Sequence, residues 1–353
     1  MNLHIFNPEH DIALAANLSN FTAPHAGRQL RHDLGFLPML WAKGGDAVLV
    51  DDLPSAEKAW ALFKKYHRYV DQNGAIMVDA RQLKLLDLAA IEPWGWDLAL
   101  RAYLLRKGVH EKLLYSEDKI KTIRELSHRR LASSLLSSLR VEGTIGESFE
   151  CTTDTEVESL LQQYGQVIMK APWSSSGRGL RFLSVDHTPL SMQLGWLHHL
   201  LDAQGSVMVE PYYKKVKDFG MEFSSDGVGG IAYLGLSLFH TSNGAYTGNI
   251  VASEEAKQLM LSRYLPEPLL CEVRDTICQQ LGKAFKGRYA GPFGVDMMVV
   301  TDKSCQRFLL HPCVEINLRR TMGHVALALN DDNKRVMSVV YTNNNYKLKL
   351  KRV

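Results

Sequence analysis

Apolar residues fall in short runs along this chain, and their spacing alternates between the two-residue period of strands and the longer period of amphipathic helices. Leu3-His4-Ile5-Phe6 predicts a first strand, Asn7-Pro8-Glu9-His10-Asp11 a polar turn, and Ile12 to Ala15 a helical start. Ala47-Val48-Leu49-Val50 predicts a second strand that ends at Asp51-Asp52, and helical stretches around Ser55 to Tyr66 and Asp79 to Leu88 complete a small α/β lobe. Pro93-Trp94-Gly95-Trp96 precedes an amphipathic run from Asp97 to Lys107 that Gly108 stops, and its tryptophans read as packing residues. From Ser116 the pattern becomes one long basic helix, Ile120 to Leu136, on which Arg124, Arg129 and Arg130 read as a solvated face. A first lobe, residues 1–115, ends there.

A second lobe, residues 116–205, continues with a strand at Ser148 to Cys151 and a helix from Asp154 to Tyr164, capped by Asp154 or Thr155. Val167-Ile168-Met169-Lys170 is a short apolar strand, Leu180 to Leu183 returns as its hairpin partner, and a helix covers Pro189 to Leu201. The third lobe, residues 206–353, opens on the strand Val207 to Pro211 and continues through antiparallel strands near Met221 to Phe223, Gly230 to Leu234 and Ser237 to Phe239. A loop at Gly244 to Asn249, helices at Glu254 to Leu265 and Leu269 to Phe285, and two long apolar strands, Gly291 to Val300 and Phe308 to Asn317, follow. Tyr346 to Val353 alternates apolar and basic residues, which suits an edge strand or a homodimer contact.

Length and composition narrow the class. With 353 residues, 46% hydrophobic and 22% charged, the chain is a multi-lobed globular protein. A net charge of +3 gives no electrostatic case for nucleic acid or a membrane as partner. Five scattered cysteines without a C-x-x-C pair argue against a disulfide framework or zinc ribbon, and point to a reducing, cytoplasmic setting. The N-terminus has no signal-like apolar run, and no stretch is apolar over the length of a membrane span.

Two stretches carry candidate chemistry. Lys170 closes an apolar strand and is followed by Ala171-Pro172-Trp173-Ser174-Ser175-Ser176-Gly177-Arg178-Gly179, a loop of small residues whose backbone amides can approach an anion closely. Asp296 stands within one apolar strand, and Glu315 and Asn317 share a face of the next. If the strands form a hairpin, three oxygen donors converge, and buried carboxylates of this kind need a hard cation such as magnesium, unless each acid pairs with an arginine such as Arg319 or Arg320. The turn residues Glu9, His10 and Asp11 are candidates for gripping a substrate, since such turns sit at the carboxyl edge of a sheet; the alternative is a helix start with solvated charges.

In order along the chain, the lysine strand, the Ser/Gly loop, the strand ending in Glu210, Gly-x-x-Gly-Val-Asp (291–296) and Glu-x-Asn-x-Arg (315–319) resemble the ATP-grasp superfamily. The resemblance covers roughly residues 116–328. It implies an α/β and α+β architecture in which two α+β lobes clamp ATP behind a small α/β N-terminal domain. It also implies that Lys170 contacts ATP phosphates, that Ser174, Ser175, Ser176, Gly177 and Gly179 form a closing loop, and that Glu210 lies at the adenine hinge. Lys119 or Lys121 matches an earlier phosphate-contacting lysine, and Asp218 takes the ribose position with Glu222 as its rival, because Lys214, Lys215 and Lys217 fill the intervening spacing. Asp296, Glu315 and Asn317 bind magnesium, two Mg2+ ions with Mn2+ an acceptable substitute, and Arg319 or Arg320 helps neutralise the phosphates.

The activity so implied is an ATP-dependent, magnesium-dependent ligase that activates a carboxylate as an acyl phosphate and joins it to an amine, on small-molecule or peptide substrates. A kinase on the same scaffold and a nucleotide-binding sensor without catalysis are the competing readings. The absence of a Ser-His-Asp or Cys-His arrangement agrees with a reaction that uses no side-chain nucleophile.

Overall fold

Strand and helix lengths follow the hydrophobic periods closely enough that most of the expected elements can be read off the backbone. In a computed structural model, which describes residues 1–67, 74–174, 179–242, 245–302, 307–329 and 334–352, the chain begins with β1 (Asn2–Ile5), α1 (His10–Ala16), α2 (His25–Leu34), β2 (Ala47–Leu49), α3 (Leu53–His67), β3 (Ile76–Val78), β4 (Ala90–Pro93), α4 (Leu98–Arg106) and α5 (Glu117–Leu126). It continues through α6 (Arg130–Leu136), β5 (Phe149–Cys151), α7 (Asp154–Tyr164), β6 (Gln166–Lys170), β7 (Leu180–Ser184), α8 (Leu194–Gln204), β8 (Val207–Pro211), β9 (Lys215–Ser225), β10 (Ile231–Ser237) and β11 (Phe239–Ser242). The remainder is β12 (Ala245–Val251), α9 (Glu254–Leu261), α10 (Glu267–Phe285), β13 (Gly291–Asp302), β14 (Arg307–Asn317), α11 (Met322–Ala328), β15 (Arg335–Thr342) and β16 (Asn345–Arg352).

Two compact units result: Met1–Arg124 with Thr247–Ser253 and Arg319–Val353, and Glu125–Tyr246 with Glu254–Leu318. They differ from three consecutive lobes divided at 115 and 205, because the C-terminal segment returns to the N-terminal unit. The reason is visible in its apolar residues: Val325, Ala326, Met337 and Leu348 are buried in the same core as Phe6, Leu37, Trp60, Phe63 and Trp94.

In the first unit, β1 lies between β2 and β4 in a parallel sheet of order β3-β2-β1-β4. Of its central strands, β2 is apolar throughout, as a sheet covered on both faces favours, while β1 carries a buried His4 between Leu3 and Ile5; Leu3, Ala47 and Val48 are fully buried. An antiparallel ladder of β12, β15 and β16 completes this unit.

The second unit contains two four-stranded antiparallel sheets, β5-β8-β6-β7 and β10-β9-β13-β14. In the first, Val167 and Met169 pack with Val157, Leu161 and Leu197 of the helices α7 and α8. In the other, Phe219, Met221 and Phe223 of β9 align with Met297, Val295 and Phe293 of β13 on one face. That face meets α10, where Phe285 stands edge-on to Phe293 at 5.1 Å. Each sheet thus turns one face to its helices and leaves the opposite face for polar residues.

Several local expectations change. The long helix from 120 to 136 is two helices, α5 and α6, broken where His128 Nδ1 accepts a hydrogen bond from the Arg130 backbone N–H. The 79–88 segment contains only a short 3-10 turn at Leu83–Leu85. The 244–249 loop is largely strand β12, and the helix after Glu254 ends at Leu261. The side chain that caps α7 is Thr153, in a capping box with Glu156. Among the described residues no helix is long and apolar enough to cross a membrane.

Candidate functional site

Lys170 owes its position to register. In the β6–β8 ladder Ile168 faces Glu210 and Lys170 faces Met208, so Lys170 and Glu210 are diagonal neighbours on the face away from α7 and α8. Lys170 Nζ donates to Glu210 Oε2 at 2.5 Å, with Lys170 5% and Glu210 4% exposed. Removing either partner of a pair this deeply buried would leave the other without a counter-charge. The Glu210 carboxylate is thus taken up within the protein, by Lys170 on one oxygen and by Ser148 Oγ, which donates to Oε1 at 3.4 Å, on the other. Past Lys170 the chain must turn sharply: Ala171 N–H donates to Gly179 O at 2.8 Å, and a Cβ on Gly179 would lie 2.5 Å from that of Ser174. The sites expected at Ser175, Ser176 and Gly177 lie outside the described residues.

The polar face of the second sheet is acidic. Gly220 faces Asp296, which faces Glu315, and Glu222 faces Gly294, which faces Asn317. Asn317 Nδ2 donates to Asp296 Oδ2 at 3.2 Å. Gly220 leaves the space Asp296 occupies, since a Cβ there would lie 3.3 Å from Asp296 Oδ1 and 2.9 Å from Val295 O. Below this row the register breaks: Met298 faces His311, and the extra residues of β14 include Pro312, which has no N–H to pair. The register brings the two carboxylates, Asp296 and Glu315, and the Asn317 amide together. Among the described residues no three His, Cys, Asp or Glu side chains converge as a metal cluster, so a cation here would draw on the amide, water and ligand oxygens, as magnesium does. The residues present fit that ion.

Arg129 was expected on a solvated helix face and is instead 8% exposed. Its Nε donates to Ala171 O at 3.0 Å, and its NH2 group lies 3.2 Å from Ser174 Oγ and 2.9 Å from Glu315 Oε1. One guanidinium thus joins the loop after the lysine strand to the acidic strand. Glu315 does pair with an arginine, but with Arg129 rather than Arg319 or Arg320. Cys313, fully buried, lies where the charges of Glu210, Asp296, Glu315 and Lys170 all reach; burial first, then these acids, raises its thiol pKa. Burial holds His311 near 4, well below its ordinary value, with Glu210 opposing and Lys170 assisting. Neither ring nitrogen of His311 has a hydrogen-bond partner.

The ribose candidate Asp218 accepts from Lys215 Nζ at 2.6 Å and from Thr241 Oγ1 at 2.5 Å, whereas Glu222 is 3% exposed and faces Gly294 in the ladder. The remaining candidates belong to the other unit. Arg319 makes a two-pronged pair with Asp11, at 2.7 and 2.6 Å, and Arg320 stacks on Trp41 at 4.7 Å. His10 is buried against Asp97. Lys119 sits over the Tyr115 ring, and Lys121 is exposed on the same helix, α5. Of the three turn residues, Glu9 lines a cavity.

The sequence matches no protein-family profile and no curated protein. Among solved structures it resembles the biotin carboxylase of Campylobacter jejuni in complex with β-γ-ATP, at a TM-score of 0.53 and 15% identity over 96% of this chain and 75% of that one. It also resembles N5-carboxyaminoimidazole ribonucleotide synthetase from Thermus thermophilus, at 0.52 and 13% identity over 96% and 83%. The chain has the ATP-grasp fold. A third likeness, to Rhizobium etli pyruvate carboxylase, covers 93% of this chain and 27% of that longer one, at 0.53 and 14% identity.

Within this ATP-grasp fold, sequence reading missed Arg129, His311 and Cys313. Arg129 carried a faint signal, the His128-Arg129-Arg130 interruption in an otherwise regular helical pattern. His311 carried another, as a titratable residue inside the apolar run Phe308 to Ile316.

Proposed function

We propose that the protein is an ATP-dependent, magnesium-dependent carboxylate-amine ligase of the ATP-grasp type. The observation that carries the reading is the arrangement of the second unit: a buried ammonium, Lys170, on the polar face of one sheet and an oxygen-donor set, Asp296, Glu315 and Asn317, on that of the other, with Arg129 bonded to Ala171 O next to Lys170 and to Glu315. Asp296, Glu315 and Asn317 would hold magnesium, which when bound supplies positive charge to phosphate oxygens.

The chemistry follows from charge. A substrate carboxylate oxygen attacks the γ-phosphorus of ATP, the bond from that phosphorus to the bridging oxygen breaks, and ADP leaves. Lys170 balances the phosphate charge during that transfer, and Arg129 holds Ser174 and the loop around it in place. An amine then attacks the acyl carbon of the acyl phosphate, loses a proton, and phosphate departs. Two of the solved structures with TM-scores above 0.5 are a biotin carboxylase in complex with β-γ-ATP and an N5-carboxyaminoimidazole ribonucleotide synthetase; their likeness supports the nucleotide part of the reading.

The test is a panel of carboxylates and amines scored for conversion of ATP to ADP, with Lys170→Ala as the blank. ADP release that requires both a carboxylate and an amine supports a ligase. Release that never depends on an amine would make the protein a kinase, and magnesium-nucleotide binding without turnover would make it a sensor.

A further inference from the structure

In the N-terminal unit the residues that leave β1 and β2 at their carboxyl ends, Phe6-Asn7 and Val50-Asp51, line a cavity of about 180 Å³ together with Glu9, Arg28, Arg31, Tyr103 and Arg106. The crevice beyond the carboxyl ends of parallel strands is where open α/β sheets bind ligands, because the strands end there and the following turns are free to carry polar groups. The space is roughly ten times what a single water needs.

Its charges are arranged unevenly. Arg31 is neutralised within the protein, with NH1 2.5 Å from Glu9 Oε1 and Nε 3.1 Å from Asp51 Oδ2. Glu9 is only half satisfied: it is 8% exposed, and its second oxygen, Oε2, is buried without a hydrogen-bond partner. A buried carboxylate oxygen with no donor is costly, and a ligand that brings an N–H donor or a positive charge removes that cost. Burial raises the Glu9 pKa, with Arg31 pulling it back, which agrees with a group awaiting a further donor. Arg28 and Arg106 line the same space from exposed positions and bring two positive charges to its rim.

We propose that this pocket binds an amino-acid zwitterion, its ammonium on Glu9 Oε2 and its carboxylate at Arg28 and Arg106. A small cavity lined by both an acid and bases selects a ligand carrying both charges over one carrying either alone. The inference deepens the ligase reading and rests on it for calling this ligand a substrate; the binding itself stands apart from that reading.

The test is calorimetric titration of the full chain with each proteinogenic L-amino acid, with and without Mg·ADP, using ethylamine and propionate as single-charge controls. The expected result is saturable binding of at least one amino acid, with both controls weaker by about tenfold or more. Glu9→Gln should weaken that amino acid by about ten- to a hundredfold. The double variant Arg28→Gln/Arg106→Gln, on exposed positions that leave folding intact, should erase the preference over ethylamine. No binding of any amino acid, propionate binding as tightly as the best amino acid, or unchanged affinity in both variants overturns the proposal. Mg·ATP binding, measured on the same sample, separates the two readings: if it persists while no amino acid binds, only this inference fails, and if it is absent, the ligase reading fails.

Discussion

Arg129 lies 2.9 Å from Glu315 Oε1 while its Nε donates to Ala171 O, so a single buried guanidinium fastens the loop after the lysine strand to the acidic strand. Lysine carries the same charge but has no planar fork with which to reach three acceptors at once. Arg129→Lys should therefore lower the rate of ADP release by about tenfold or more while the circular dichroism spectrum is unchanged. A wild-type rate in Arg129→Lys would mean that the loop is positioned by something else.

Lys170 and Glu210 are buried as a pair, and removing one partner leaves a charge with no water to solvate it. Lys170→Met should cost about 3–5 kcal/mol in urea unfolding and abolish turnover. Lys170→Met/Glu210→Leu, which removes both charges, should recover most of that stability and none of the activity. Equal losses in the single and double variants would show that the pair does not act as a unit.

His311 should make stability pH-dependent. Its ring is fully buried and its pKa in the folded protein is about 4, against 6.5 when unfolded. Between those values the unfolded chain binds the proton and the folded one does not, so stability should fall as pH drops from about 6.5 towards 4, by about 3 kcal/mol in all. His311→Asn should remove that part of the slope in denaturant midpoints measured across the window. An identical slope in the variant would place the effect on other groups.

Gly220 makes room for Asp296. A Cβ at this position would lie 2.9 Å from Val295 O, a backbone atom that cannot swing aside, and 3.3 Å from Asp296 Oδ1. Gly220→Ala should cost about 1–3 kcal/mol and raise the magnesium concentration needed for turnover, in the same direction as a change at Asp296. A fully stable Gly220→Ala with unaltered metal dependence would show that the strand relaxes at no cost.

How far the sequence carried depends on which residues pattern can address. Alternation alone places Lys170 at the end of β6 and pairs the 291–300 and 308–317 strands, because apolar runs bounded by turns have few other arrangements. The facing of Asp296 and Glu315 follows from that pairing, but the two extra residues of β14 that shift His311 opposite Met298 leave no mark in periodicity. Arg129 was misplaced for a different reason. A cation on a basic helix reads as solvated unless the helix breaks, and the break rests on a side chain, His128, bonding its neighbour's backbone. Arg319 stands next to the metal motif in sequence and yet pairs with Asp11, 308 residues away, a contact no local spacing can reveal. Strand β4 escaped because Glu92 and Pro93 interrupt its apolar run, and β3, no shorter than the expected β2, buries only Val78.

The central claim is that Lys170 and the Asp296–Glu315–Asn317 set hold one magnesium nucleotide. The most direct measurement is calorimetric titration of the full chain with ATP, with and without magnesium, for wild type, Lys170→Ala and Asp296→Asn. The account predicts saturable binding by wild type that depends on magnesium, binding weakened about tenfold or more in Lys170→Ala, and a magnesium requirement raised by a similar factor in Asp296→Asn. No magnesium-dependent ATP binding by the wild type, or wild-type affinity in both variants, would contradict it.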